Sequence, residues 1–352
     1  MKTKYLLLAA LGSVLMGCAV ENTPSAGETA REYLSLWMDK YHPGISPNAD
    51  GLYILQDEPG TGDLWDSEKA YSYLEVTVGG LNGVISSTTD STLSKQLGTY
   101  VKGDYYGPRF QATGEGSSYA GFDALLKGMR VGGTRQAVVP AWMLTTSRYD
   151  TQQKYLDAAT SSASLIYKVT FRGQTDDVSE TEKDSLACYV LRKYGNVQPS
   201  SYKKNDDSTA EEPDGTFYFI SDTSAFVNSG VEPRGDTDSG TINYTGRLLN
   251  GQVFDTTLER VAKDAGLYNS SKTYTTSSVT FATDWDSVTM GGSSSLIDGF
   301  KGGLYKMRYP GQKAIVVFTS SHGYSTTGSG STIPAWSPLE FELELVSIDS
   351  SD

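Results

Sequence analysis

Tyr244-Thr245-Gly246-Arg247-Leu248-Leu249-Asn250-Gly251-Gln252-Val253-Phe254-Asp255 is the stretch on which the fold turns. Tyr244 is read as the end of a strand, and Asn250-Gly251 is a hairpin turn signal. The chain then returns as a second strand carrying Phe254 and Asp255.

Downstream, Leu296-Ile297-Asp298-Gly299-Phe300 leads to Gly303-Leu304, Met307 and Gly311-Gln312-Lys313. Beyond them come His322-Gly323-Tyr324, Ile333-Pro334 and Leu339-Glu340-Phe341-Glu342-Leu343. A parallel series stands upstream. Gly121-Phe122 matches Gly299-Phe300, Met129 with Gly132-Gly133 matches Met307 with Gly311, and Leu165-Ile166-Tyr167-Lys168-Val169 matches Leu339 to Leu343. Each series is preceded by a helical pattern. Leu34, Trp37, Met38 and Tyr41 make one apolar stripe in a helix over Thr29 to Tyr41. Leu186, Val190 and Tyr194 make another over Ser179 to Tyr194, where Ser179 and Glu182 read as a capping box and Gly195 as the stop. Both helices end in Lys-Tyr, and each is followed by a strand opened by Asp-Gly, at Asp50-Gly51 and Asp214-Gly215. The chain therefore reads as two copies of one α+β unit, dominated by antiparallel sheet, each with a leading helix and one short central helix. Residues 203–213 read as a polar linker. Residues 259–285, rich in Ser, Thr and Tyr, read as a solvated hairpin excursion or, alternatively, a lid.

The second series resembles the FKBP-type peptidyl-prolyl isomerases, from about Gly235 to Ile348. The resemblance implies a twisted antiparallel sheet wrapped around a short helix, and prolyl isomerisation as the activity. It implies a pocket in which Tyr244, Phe254, Asp255 and Tyr324 are catalytic and Arg260, Leu296, Ile297, Phe300, Ile333 and Phe341 bind substrate. Asp255 would accept a hydrogen bond from Tyr244, with Arg260 as its candidate ion partner. Tyr324 O–H and Ile297 N–H would donate to substrate carbonyls. Phe300 stands where the family usually has tryptophan. No cofactor and no metal are implied, and proline-containing polypeptides are the expected partners. In the first series Val76-Thr77-Val78-Gly79-Gly80 has no tyrosine and Val84-Ile85-Ser86-Ser87 has no Phe-Asp pair, so that copy is expected to be inactive. A role in binding clients, in spacing or as a homodimer contact stays open for it. His322 reads as a loop residue.

At the N-terminus, Lys2 and Lys4 precede the apolar run Tyr5 to Val14, too short to span a bilayer, and Leu15-Met16-Gly17-Cys18 resembles a bacterial lipobox. Cys18 is the expected lipidation site, and the membrane a partner through that anchor alone. The expected location is the bacterial cell envelope. With Cys18 acylated, Cys188 has no intrachain partner. The chain carries 29 Lys and Arg against 42 Asp and Glu, a net charge of −13, and losing Lys2 and Lys4 with the signal makes it more acidic. Such a surface repels phosphate backbones, which argues against nucleic-acid binding. The expected division is a signal peptide over 1–17, linker and helix over 18–45, a degenerate domain over 46–173, a helical linker over 174–207 and an isomerase domain over 208–352. The leading reading is an isomerase that helps exported or envelope proteins fold. A non-catalytic chaperone-like or protein-binding lipoprotein is the alternative, and a glycan-binding lipoprotein is a third class that leaves the ordered motifs unexplained.

Overall fold

The computed structural model describes residues 24–114, 119–161, 163–202, 215–227 and 229–349. The signal segment, Cys18 and the 203–213 linker lie outside them. In chain order the elements are α1 (Ala26–Tyr41), β1 (Tyr53–Glu58), β2 (Tyr71–Gly80), β3 (Ile85–Thr88), α2 (Ser91–Gln96), β4 (Arg109–Ala112), α3 (Ala120–Leu126), β5 (Thr134–Val139), α4 (Gln152–Ala158) and β6 (Leu165–Thr175). They continue as α5 (Val178–Tyr194), β7 (Phe217–Ile220), α6 (Ser224–Val227), β8 (Ser239–Leu248), β9 (Val253–Thr256), α7 (Glu259–Ala265), β10 (Ser277–Thr280), β11 (Thr289–Met290), α8 (Asp298–Lys306), β12 (Lys313–Phe318) and β13 (Leu339–Asp349).

The strands form two antiparallel sheets. The first runs β1-β5-β6-β2-β3 with β4 also on β2, and the second runs β7-β12-β13-β8-β10-β11 with β9 also on β8. Apart from the short edge strand β11, the two orders are the same. The registers around the central strands agree to the residue, whereas the first sheet alone carries a bulge in β1, between Ile54 and Gln56. Tyr167 faces Val78 across β6 and β2, and Phe341 faces Gly246 across β13 and β8. A bulge follows Val78 where β3 pairs, and one follows Gly246 where β9 pairs. The Thr77–Thr88 hydroxyl pair (2.7 Å) has its counterpart in Thr245–Thr256 (2.9 Å). Val76 N–H donates to the Thr89 hydroxyl as Tyr244 N–H donates to that of Thr257, both at 2.9 Å. The α+β duplication expected from the sequence is thus present in topology, register and side-chain hydrogen bonds.

Each sheet has its own core. In the second, α8 lies on the face that carries Phe318, Phe341 and Leu343, with Phe300 and Leu304 buried beneath it. Gly299 makes the close approach necessary, because a Cβ there would stand 2.4 Å from the Phe318 ring. Each fully buried Leu or Phe in these cores contributes roughly 1.5–3 kcal/mol.

The two leading helices differ from their sequence reading. Ser25 caps α1 in a capping box with Glu28, so the helix begins at Ala26 instead of Thr29. Its buried face is Ala30, Leu34 and Met38, whereas Tyr41 is exposed and Trp37 donates its indole N–H to the Leu81 carbonyl. In α5 the cap is Asp177, which accepts from Glu180 N–H. Ser179 and Glu182 form no capping box. Glu182 is buried and accepts from both the N–H and the hydroxyl of Ser320, at 2.7 Å each. α5 packs Leu186, Tyr189 and Val190 against Tyr218 and Val317, on the side of the second sheet away from α8. Residues 259–285 are more ordered than a solvated excursion: they open with α7 and close with β10, which pairs with β8. Cys188 is exposed with a free thiol. No helix among the described residues is long and apolar enough to cross a membrane.

Candidate functional site

On the α8 side of the second sheet a pocket of about 520 Å³ opens between β8, β9, β13, the N-terminal end of α8 and the 324–333 loop. That size suits a small-ligand or side-chain site. Tyr244, Phe254, Asp255, Leu296, Ile297, Phe300, Tyr324, Ile333 and Phe341 all line it. Strand alternation on β8 sends Ile242, Tyr244 and Leu248 to the core side with Gly246 between them. Gly246 is the position that lets the rings close up. A Cβ there would meet Phe254 at 2.6 Å and Phe341 at 2.8 Å, well inside ordinary carbon contact of ~3.5–4.0 Å.

The walls are a packed aromatic set. Tyr244 and Phe300 meet edge to face at 5.3 Å, as do Phe254 and Phe341 at 5.5 Å, and Phe300 lies tilted against Phe341 at 4.8 Å. Phe300 and Phe341 form the buried floor, so phenylalanine serves where the resemblance led one to look for tryptophan. The Tyr244 hydroxyl donates to Asp255 Oδ2 at 2.6 Å, as expected. Burial, with the Asp255 carboxylate beside it, pushes the Tyr244 hydroxyl pKa well above its ordinary value. Burial raises Tyr324 as well, with Asp255 adding to the effect. Among the described residues the Tyr324 hydroxyl and the Ile297 N–H have no intramolecular acceptor, and both stand at the pocket wall.

Arg260 is the exception. It lies on α7, almost fully exposed, and faces Asp264 at 3.8 Å one helical turn on. Starting a helix at Glu259 turns Arg260 outward, so its expected pairing with Asp255 is not made. Lys272 takes that place: its Nζ lies 2.7 Å from Asp255 Oδ1 and is also within 3.4 Å of the Thr256 carbonyl. Nothing in the sequence marks Lys272, which sits in the long 259–285 segment, where spacing from the motif carries no information. Met290, Ser295 and Ser329 to Thr332 complete the pocket without a mark in the sequence. The two-residue run of β11 and the polar tip of a loop leave no periodic signal. Since Thr256 N–H also donates to Asp255 Oδ1 at 2.9 Å, and partly exposed ion pairs contribute ~0–1 kcal/mol, Lys272→Met should leave kcat/KM within about fivefold of the parent in a steady-state assay.

His322 serves elsewhere. Its Nδ1 is 2.9 Å from the Tyr202 hydroxyl and its Nε2 is 2.8 Å from that of Thr216. The ring ties the chain before β7 to the start of the loop and does not line the pocket.

The shared register lets the first sheet be read position by position. Val76 stands for Tyr244, Val78 for Gly246, Ser86 for Phe254 and Ser87 for Asp255. Phe122 and Tyr167 remain in edge contact at 5.8 Å, both buried as core. The hydroxyl-carboxylate pair and the outer aromatic wall are absent from this copy.

Residues 232–346 match the family of FKBP-type peptidyl-prolyl cis-trans isomerases. FK506-binding protein 1A of Aspergillus fumigatus is 30% identical over 122 residues, 35% of this chain and 88% of that protein. FK506-binding protein 1 of Rhizopus delemar is 30% identical over 112 residues, 32% of this chain and 82% of that protein. Among solved structures, the three FKBP domains of wheat FKBP73 align with 87% of this chain and 100% of theirs, at 14% identity and a TM-score of 0.27.

Proposed function

The chain belongs to the FKBP-type peptidyl-prolyl cis-trans isomerases, and we propose that its catalysis resides in the pocket of the second sheet, in a lipoprotein that helps exported or envelope proteins fold. The observation that carries the assignment is the Tyr244–Asp255 hydrogen bond under an aromatic wall, set against Val76, Ser86 and Ser87 at the matching positions of the first sheet.

The reaction needs no nucleophile. Its obstacle is amide resonance, a barrier of ~18–20 kcal/mol. The planar amide places more charge on its oxygen than the twisted transition state does. A dry pocket walled by Phe254, Phe300 and Phe341 therefore raises the planar form relative to the twisted one, and each ~1.4 kcal/mol of difference is about tenfold in rate. Tyr324 O–H and Ile297 N–H are placed to hold substrate carbonyls in register. Asp255 fixes the Tyr244 ring and takes no proton.

The lipid anchor rests on the lipobox ending at Cys18. Detergent partitioning of a Cys18→Ser variant tests it: the variant should move to the soluble fraction, and full retention with membranes would require another anchor.

With no acid or base in the step, kcat/KM should be nearly flat from about pH 6 to 8. Both site tyrosines have raised pKa values, so they keep their protons throughout that window, and loss by deprotonation is deferred beyond the ordinary ~10. Tyr244→Phe, which loses the hydroxyl and keeps the ring, should lower kcat/KM by about three- to tenfold without changing the profile. A bell-shaped profile centred near neutrality would mean that a titrating group takes part and would remove this mechanism.

A further inference from the structure

The first sheet lacks the pocket chemistry, yet it touches the pocket's most exposed wall. We propose that the first domain is a positioning element for the prolyl site, holding the 324–336 loop through Asp104, Tyr105 and Tyr71. The proposal rests on the assignment of catalysis to the second sheet.

The loop supplies Tyr324, Ser329 to Thr332 and Ile333 to the pocket. Its base is pinched where Trp336 N–H donates to the Ser325 carbonyl at 2.9 Å. Ser325 (φ 50°) and Trp336 (φ 58°) both sit in the left-handed region, the only residues other than glycine to do so among those described. Such backbone costs energy and persists where surrounding contacts fix it. Locally, Ser325 N–H donates to the Ser320 carbonyl at 2.8 Å and Ser329 N–H to that of Ile333 at 2.7 Å. The contacts that tie the loop to the rest of the molecule at Trp336 and Ser331 come from the first domain. The Trp336 ring meets the edge of Tyr71, on β2, at 5.7 Å. At the tip, the Ser331 hydroxyl donates to the Asp104 carboxylate at 2.6 Å, and the Ser331 carbonyl accepts from Tyr105 N–H at 2.9 Å. Beside them the Gly103 carbonyl accepts from Gln252, in the β8–β9 turn, at 2.7 Å. The first domain thus grips the loop at tip and base and holds the hairpin that carries Phe254.

A loop released from this grip samples conformations that do not bind substrate. Apparent affinity falls by the fraction that remains competent, while the bound complex, once ordered, reacts as before. The expected signature is a rise in KM at constant kcat, where chemistry is slow relative to dissociation.

The test uses the full chain and a proline tetrapeptide. Asp104→Ala should raise KM by about three- to tenfold with kcat within about twofold. Asp104→Asn, whose amide oxygen still accepts from Ser331, should return KM to within about twofold of the parent. An unmoved KM in Asp104→Ala overturns the proposal, and so does an equal rise in both variants, which would assign the effect to charge alone. Phe254→Ala in the same assay separates the two readings. Its loss of activity beside an unmoved Asp104→Ala refutes the brace and leaves the second-sheet site standing, whereas its full activity refutes the site itself.

Discussion

Phe254→Ala should lower kcat/KM by about thirty- to a hundredfold and leave a folded protein. The ring is half-buried: one edge packs on Phe341 at 5.5 Å and on the space above Gly246, and the rest faces the pocket. An aromatic side chain covers roughly 150–250 Å². At ~25 cal/mol per Å², losing the half that faces substrate removes about 2–3 kcal/mol from the apolar wall. Water then reaches the oxygen of the isomerising amide and stabilises the planar form, which is the state the pocket raises. The stability loss should fall below the ~3–5 kcal/mol of a fully buried Phe→Ala, so a thermal melt run beside the assay separates lost chemistry from lost fold. Gly246→Ala approaches the same wall from behind, since its methyl overlaps both Phe254 and Phe341. It should lower activity without removing any group that meets substrate. Near-parental rates in both variants would mean that the aromatic wall does not supply the desolvation.

What the sequence disclosed and what it withheld divide along physical lines. Tyr244, Phe254 and Asp255 were legible because their order around one hairpin turn resembles the family's motif, and such a turn keeps them close in the chain. The duplication was legible because the same glycines and aromatics recur in the same order. Val76, Ser86 and Ser87 could be recognised as missing parts for the same reason, and pairing then matched each to its counterpart. Arg260 failed because its placement depended on whether a helix began at Glu259, a decision that neighbouring turns do not make. Glu182 failed in a different way. Its spacing from Ser179 fits a capping box, but Asp177 caps the helix and Glu182 is drawn into a tertiary contact with Ser320. Lys272 and the grip of Asp104 on Ser331 join residues far apart in the chain through loops of arbitrary length. No periodicity encodes such pairs.

Glu340 carries that lesson into energetics and gives the largest expected effect on stability. Alternation along Leu339-Glu340-Phe341-Glu342-Leu343 puts Glu340 on the side opposite Phe341, where a strand facing water would place a glutamate. α5 covers that side, and Glu340 is fully buried. Its carboxylate accepts from the hydroxyls of Tyr189 and Tyr194, each at 2.7 Å, and from Lys193 Nζ at 2.9 Å. Lys193→Met should therefore leave a buried carboxylate without its counter-charge. Removing one partner of a fully buried pair costs ~3–5 kcal/mol. Because the Lys193 side chain is 41% exposed and both tyrosines remain, about 2–3 kcal/mol is expected here. At ~2–4 °C per kcal/mol for a unit of 150 or more residues, the melting temperature of the second unit should fall by roughly 5–10 °C, with kcat per folded molecule unchanged because the network lies on the face away from the pocket. The double variant Lys193→Met with Glu340→Gln should recover most of the loss. A neutral amide still accepts from both hydroxyls, and the charge that lacked a partner is gone. Additive losses in the double variant would show that packing by the Lys193 stem, and not the buried charge, joins α5 to the sheet. A chain that begins at residue 208 lacks α5 altogether and exposes the face formed by Tyr218, Val317 and Ile315. It should melt well below one that begins at Asp177, and activity measurements on the isolated unit should start from the longer form.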